Sequence, residues 1–278
     1  MPELPEVEVV RRDLEREVVG KKIKSTEVHG MRTIRRYRQK KQFTSLLDGR
    51  TIKGVDRKGK YILLRLDDGE VLIVHLGMSG QLLRAKGSRE PVAKHTHVVF
   101  TFTQGGQLRF IDPRTFGEMF VADVDGIEEV DELSHLGIDP LETALSWDHF
   151  GELVAQRHTK LKSALMDQKF LAGIGNIYSD EIMFNAGLRW DRQSDELSPE
   201  EVRRLYRAVI ETLQDAVKFR GSSLADEQYV DLFGKKGGYQ EFHKVYAREG
   251  EACPRCRATI ARVKFGGRST FYCPSCQV

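Results

Sequence analysis

The sequence predicts a multi-domain α+β protein: a leading helix, a strand-rich region, a helical region and a small C-terminal module. Three observations carry this. Val7, Val10, Leu14 and Val18 recur at helical spacing near the N-terminus. Several short apolar runs separated by turn residues follow. Helical periodicity then takes over from Ser146, and all four cysteines fall within the last 26 residues.

The first helix covers residues 3–19. Pro2 and Pro5 fit its start, and Glu3, Glu6 and Glu8 suit the positive end of its dipole. Next, Lys60–Leu66 and Val71–Leu76 flank the turn Asp67-Asp68-Gly69 and read as a hairpin. His97–Thr103 and Gln107–Ile111 flank Gln104-Gly105-Gly106, and Gly117–Ala122 closes the series. Short strands at regular spacing predict a sandwich or a barrel, with the first helix packed against it. The acidic stretch Ala122–Pro140 reads as a boundary. The clearest later helix starts at Ser198, where Ser198 and Glu201 form a capping box around Pro199; it runs to about Phe219, and Gly221 ends it.

The chain has 278 residues, 40% hydrophobic and 31% charged, an ordinary composition with room for a sizeable core. No apolar run approaches the ~20 residues that cross a bilayer, and the charged N-terminus lacks a secretion signal, so no membrane contact and a cytoplasmic location are expected. The net charge of +3 hides an uneven distribution. Residues 1–60 hold 17 Lys/Arg against 9 Asp/Glu, and residues 242–278 hold 7 against 2. Residues 121–152 hold 10 acidic side chains and no Lys or Arg. Both ends would attract a polyanion; a solvated mixed surface is the plain alternative.

The cysteines, Cys253, Cys256, Cys273 and Cys276, follow C-x2-C-x16-C-x2-C. Two tight pairs bracketing a hairpin over Ala258–Phe271 suit tetrahedral thiolate coordination of one Zn²⁺. Disulfides are unusual in a cytosolic chain. An iron–sulfur cluster fits less well beside the basic hairpin. Four ligands close the site, so its role is structural. Arg268, flanked by Gly266 and Gly267 in the returning arm, reads as a phosphate ligand. Gly173-Ile174-Gly175-Asn176 joins two helical segments and exposes backbone N–H groups that also suit phosphate, with Asn176 as a side-chain donor. A tight helix–helix turn explains those glycines equally.

Removal of Met1 would leave Pro2 with a free secondary amine. Such an amine can attack C1′ of a nucleotide, expel the base and form a cationic iminium that promotes elimination of the 3′ phosphate. Glu3 is placed to transfer protons, and Glu6, one helical turn on, to position the site. Taken alone, these residues also have an ordinary account as helix-start residues.

MPELPEVE at the N-terminus, GIGNIYSDE in the middle and CPRC with GRSTFYCPSCQ at the end resemble the formamidopyrimidine-DNA glycosylase family, in order and over essentially the whole chain. The resemblance implies an N-terminal β-sandwich with a leading helix (1–135), a helix–two-turn–helix domain (136–241) and a zinc finger (242–278), with DNA in the cleft between the lobes. It implies that Pro2 is the Schiff-base nucleophile, Glu3 the acid/base, and Lys60 a strand lysine reaching the active site. It implies that Met78, Arg114 and Phe116 fill the gap left by an extruded base. Asn176, Arg268, Lys162 and His95 match positions at the DNA backbone. Thr115 stands where such sequences usually carry a second arginine. Residues 221–240 match a loop over the extruded base. The implied partner is damaged double-stranded DNA, bound by a monomer. The implied activity is excision of oxidised purines followed by β,δ-elimination, without a redox or organic cofactor. A related branch, endonuclease VIII, prefers oxidised pyrimidines; Leu4-Pro5, Met78 and the Arg114/Phe116 pair favour the purine branch. A non-catalytic zinc-containing DNA-binding protein would leave Pro2, Glu3 and Lys60 unexplained.

Overall fold

The computed structural model describes residues 1–225 and 228–278. They form two compact units, Met1–Ser134 with Phe219–Gln240, and His135–Lys218 with Glu241–Val278.

The first unit begins with α1 (Leu4–Val18), where Glu3 and Glu6 form a reciprocal capping box. Its apolar stripe, Val7, Val10, Leu14 and Val18, is fully in the core. After β1 (Ile23–Val28), a 3-10 turn (Met31–Ile34) and α2 (Lys40–Leu47) come β2 (Ile52–Lys58), β3 (Tyr61–Leu66), β4 (Glu70–His75), β5 (Gln81–Ala85), β6 (Thr96–Phe102), β7 (Gln107–Ile111) and β8 (Glu118–Asp123). They make two antiparallel sheets, ordered β1-β6-β7-β5 and β2-β3-β4-β8. Val98, Phe100 and Leu108 from one sheet share a core with Val55, Ile62, Leu64 and Val74 from the other. Two separate sheets over one core make a sandwich and not a barrel. Helix α3 (Asp131–Ser134) ends this run.

The second unit contains α4 (Trp147–Ala155), α5 (Leu161–Met166), α6 (Asn176–Ala186) and α7 (Pro199–Lys218), then the hairpin β9 (Ala261–Phe265) and β10 (Arg268–Tyr272). The capping box of α7 forms as expected: Ser198 N–H donates to Glu201 at 2.8 Å, and Glu201 N–H to Ser198 Oγ at 3.3 Å. Helix α6 is buried along almost its whole length. Phe184 of α6 shares a small core with Val245, Ile260, Phe271 and two cysteines. A module this size buries too little surface alone, so it packs with the helices.

Phe219–Gln240 belongs to the first unit, and Glu241–Val278, which holds the four cysteines, to the second. Among the described residues no helix is long and apolar enough to cross a membrane.

Candidate active site and metal centre

The start of α1 is unusual in burying its charges. Pro2, Glu3, Glu6 and Glu8 are all buried, while Met1 is exposed. Such carboxylates persist only with partners. Glu6 accepts the backbone N–H groups of Glu3 at 2.8 Å and of Ser222 at 2.7 Å. Glu8 accepts the Nε of buried Arg57 at 3.0 Å and also binds Arg11 and Arg12. Burial opposes the charge on Glu8, but its hydrogen bonds to Arg11, Arg57 and Arg12 hold its pKa below the usual value. Arg57 in turn donates to Gly59 O at 3.1 Å. The turn Gly59-Lys60 is thereby tied to the first turns of α1. Lys60 lies in this turn, one residue before β3, and not within the strand as expected. Its charge and, more strongly, burial push His75 at the end of β4 down to about 4, so His75 is neutral near pH 7.

Met78, Arg114 and Phe116 are exposed on two abutting loops. Buried Asp112 organises them. Its Oδ2 accepts Gly117 N–H at 2.7 Å, and its Oδ1 accepts Ser79 Oγ–H at 2.5 Å and Arg114 N–H at 3.2 Å. Gly77 has φ +64, and a Cβ there would sit 2.6 Å from backbone atoms of Phe116 and Gly117. The Arg114 guanidinium lies 5.2 Å from the Phe116 ring centroid. Exposed aromatic and methionine side chains on a rigid base are suited to insertion between stacked rings. His95 is exposed with φ +64 in the turn before β6, where its carbonyl accepts Asp112 N–H at 3.0 Å. It does not share a strand face with His97, whose ring Nε2 contacts Asp112 O at 2.8 Å.

In the second unit, Asn176 opens α6, and its Nδ2 donates to Ser269 O at 3.0 Å, next to exposed Arg268. Lys162 is turned inward. It is 1% exposed, and its ammonium donates to Asn176 O, Ser179 Oγ and Asp180 Oδ1 at 3.2, 2.8 and 2.7 Å. A side chain so engaged is a brace for the α6 N-terminus, not a free ligand for a backbone phosphate. It does line, with Arg268, Gly266 and Phe265, a pocket of about 250 Å³.

The four cysteine Sγ atoms lie within 4.8 Å of one another, with Cys253 to Cys276 at 3.9 Å and Cys256 to Cys273 at 3.5 Å. Thiolates about 2.3 Å from a tetrahedral zinc are about 3.8 Å apart, so the set fits one zinc ion. Arg255 N–H and Cys276 N–H point at Cys253 and Cys273 sulfur, each at 3.4 Å, and support anionic thiolates. The site is structural: four protein ligands leave no open position.

Three family descriptions match the chain in succession: the formamidopyrimidine-DNA glycosylase N-terminal domain over residues 1–119, the H2TH domain of the same enzymes over 136–228, and the zinc finger found in FPG and IleRS over 250–278. The formamidopyrimidine-DNA glycosylase of Pelotomaculum thermopropionicum is 42% identical over 277 residues, covering 100% of this chain and 99% of its own. The chain belongs to the formamidopyrimidine-DNA glycosylase family. Solved Lactococcus lactis relatives are similar throughout. One is Fpg in complex with abasic-site DNA, with TM-score 0.91, 35% identity and 99% of each chain covered. Another is Fpg (MutM) with DNA containing FAPY-dG, with TM-score 0.89, 35% identity and 99% of each chain covered.

The family pattern gave no role to Arg57, Asp112, Asp180 or Ser222. Arg57 stands among Lys53, Asp56 and Lys58 in β2, so nothing local marks it as the buried one, and Asp180 lies within GIGNIYSDE without a sign of its partner. The expected loop 221–240 includes Asp226 and Glu227, which lie outside the described residues. Its described part is anchored: Arg220 bridges buried Asp13 and Asp231, and Tyr229 OH donates to Arg220 O at 3.0 Å.

Proposed function

We propose that this chain is a bifunctional DNA glycosylase and abasic-site lyase. It removes oxidised purines, 8-oxoguanine and formamidopyrimidines, from damaged double-stranded DNA and acts as a monomer. The observation that carries the reading is the buried carboxylate cluster at the N-terminus, where Glu6 holds the Glu3 backbone and Glu8, through Arg57, holds the Lys60 turn. Cleavage of Met1 leaves the Pro2 nitrogen as a secondary amine on a fixed backbone. That nitrogen attacks C1′ of an extruded nucleotide, the C1′–N bond to the base breaks, and the base leaves with a proton. Glu3 is the proton donor and acceptor at the sugar. Loss of the amine proton and protonation of O4′ open the C1′–O4′ bond and give the Pro2 iminium, which withdraws electrons from the sugar. Loss of a C2′ proton expels the 3′ phosphate, a second elimination expels the 5′ phosphate, and hydrolysis frees the enzyme. Lys60 binds the phosphate beside the lesion and assists proton transfer.

Met78 and Phe116 fill the space of the extruded nucleotide, and Arg114 hydrogen-bonds the unpaired base opposite. Asn176, Arg268 and His95 hold backbone phosphates, and the zinc module keeps Arg268 in place. The zinc supplies structure only.

Borohydride trapping tests nucleophile, substrate and reaction together. The zinc-loaded protein, without Met1, should become covalently attached through Pro2 to a duplex with 8-oxoguanine opposite cytosine. Pro2→Gly should abolish or greatly slow trapping and nicking. Faster trapping on thymine glycol than on 8-oxoguanine would move the substrate to oxidised pyrimidines. Absence of any adduct from folded protein would leave a binding module only.

A further inference from the structure

Arg32 stands on the 3-10 turn Met31–Ile34, whose Thr33 and Ile34 are buried. The turn is therefore fixed to the sandwich, and Arg32 is held at its exposed side. Its Nε donates to the carbonyl of Thr115 at 3.1 Å. Thr115 lies between Arg114 and Phe116 and has φ +57. A β-branched residue adopts that left-handed conformation only when its surroundings impose it, at a cost of about 1–3 kcal/mol. Two bonds impose it here: Thr115 N–H to Asp112 O at 3.3 Å, and Arg32 to Thr115 O.

The charge of Arg32 is otherwise unspent. Arg35 and Arg36, its neighbours, pair with Glu118 at 2.9 and 3.1 Å, and Arg36 also pairs with Glu132. Among the described residues no carboxylate lies within ion-pair distance of Arg32 or Arg114. A guanidinium has five N–H donors, and one is used. Thr115 itself brings no charge to the loop. The exposed side of the insertion loops thus carries two uncompensated cations, Arg114 on the loop and Arg32 behind it.

We propose that Arg32 is a further DNA-positioning residue. One N–H locks the strained Thr115 carbonyl, which sets the directions of Arg114 and Phe116, and the remaining donors take a phosphate oxygen beside the inserted side chains. This rests on the excision reading above.

The test uses full-length, zinc-loaded protein and a duplex containing an abasic-site analogue, with Kd measured between about 50 and 200 mM salt. Arg32→Ala should weaken binding roughly tenfold at the low end, the loss of one charge-assisted bond, and should flatten the log Kd against log salt slope by about 1. Arg32→Gln keeps a donor for Thr115 but removes the charge, and should flatten the slope equally even if the alanine variant disturbs the loop. Arg32→Lys should keep the slope. A slope equal to wild type in both the alanine and glutamine variants, whatever their affinity, overturns the phosphate contact. Failure of the wild type to prefer lesion over undamaged duplex would instead count against the excision reading.

Discussion

Glu6 Oε1 accepts the backbone N–H of Ser222 at 2.7 Å, across 216 positions of sequence. Its second oxygen accepts the N–H of Glu3 at 2.8 Å. One buried carboxylate therefore fixes both the residue beside the proposed nucleophile and the segment that follows Gly221. Gly221 is needed for this closeness: it has φ +76, and a Cβ would sit 2.7 Å from Glu6 Oε1.

Replacing Glu6 should consequently cost chemistry as well as stability. Glu6→Ala leaves two buried N–H groups unpaired, at about 1–3 kcal/mol each. Glu6→Gln keeps the volume but can accept only one of the two bonds well. Single-turnover trapping by Glu6→Gln should slow at least about tenfold while lesion-DNA affinity changes less. A trapping rate equal to wild type would sink the coupling.

Gly77 makes a second steric prediction. Its φ of +64 and the 2.6 Å approach of Phe116 and Gly117 backbone leave no room for a methyl. Gly77→Ala should push the Met78 loop from the Phe116 loop and destabilise the protein by about 1–3 kcal/mol. Because the side chains proposed to insert, Met78 and Phe116, stand on these loops, affinity for lesion duplex should fall with it. Thermal unfolding and Kd, measured on one preparation, check both; a fully stable, tight-binding variant would contradict the packing.

The sequence was most legible where chemistry repeats locally. The stripe Val7, Val10, Leu14 and Val18, the capping box at Ser198 and the paired cysteines each declare themselves within a few residues, because period, cap and ligand spacing are local constraints. Strands β1, β2 and β5 are hard to read in the sequence, since charged residues interrupt their apolar pattern (Lys24, Asp56, Arg84), and the partners of β1 and β5 lie far along the chain, although β2 pairs with the adjacent β3. The site shows the same division. Pro2 and Glu3 gain a catalytic reading only through distant motifs, whereas the cysteines are read from their own spacing. The partners of Asp112 and Ser222 are tertiary and left no spacing to read. Lys162 shows the same limit: Lys160 and Lys162 look alike in sequence, and only the fold buries one against Asp180.

That buried pair predicts an asymmetric mutational response. Asp180 also accepts Phe271 N–H at 3.0 Å, so it ties α5, α6 and β10 together. Burial pushes its carboxyl up, and Lys162 counters this. Asp180→Ala strands a buried ammonium and should cost about 3–5 kcal/mol, whereas Lys162→Met with Asp180→Leu should recover much of that loss. Denaturant unfolding of the single and double variants decides it; a single variant no less stable than the double would be the contrary result.

Acid should destabilise both units through histidine. His75 and His243 are each pushed down from 6.5 to about 4, chiefly by burial and secondarily by Lys60 and Arg248. Between those values the unfolded chain binds more protons than the folded one. Their stabilising contribution is therefore complete above pH 6.5 and is lost as pH falls toward 4, on the order of 3 kcal/mol each. Melting curves from pH 7 to 4.5 should show the decline, and His75→Asn should flatten it. A decline unchanged by that substitution would assign it elsewhere.

Zinc removal should act on the second unit through its small core. Cys253 and Cys273 are packed with Phe184, Val245, Ile260 and Phe271, so loss of the ion loosens the residues that connect the finger to α6. The hairpin start, Arg268, and the Asn176–Ser269 bond then lose their support. Trp190 reports on this directly, since its ring lies 5.0 Å from Phe265 of β9. Chelation should change tryptophan emission and weaken lesion-DNA binding together, with one zinc per chain released and both signals restored on adding it back. Cys253→Ala should mimic the chelated state. Release of one zinc without any loss of affinity would separate the metal from phosphate binding and refute the support role.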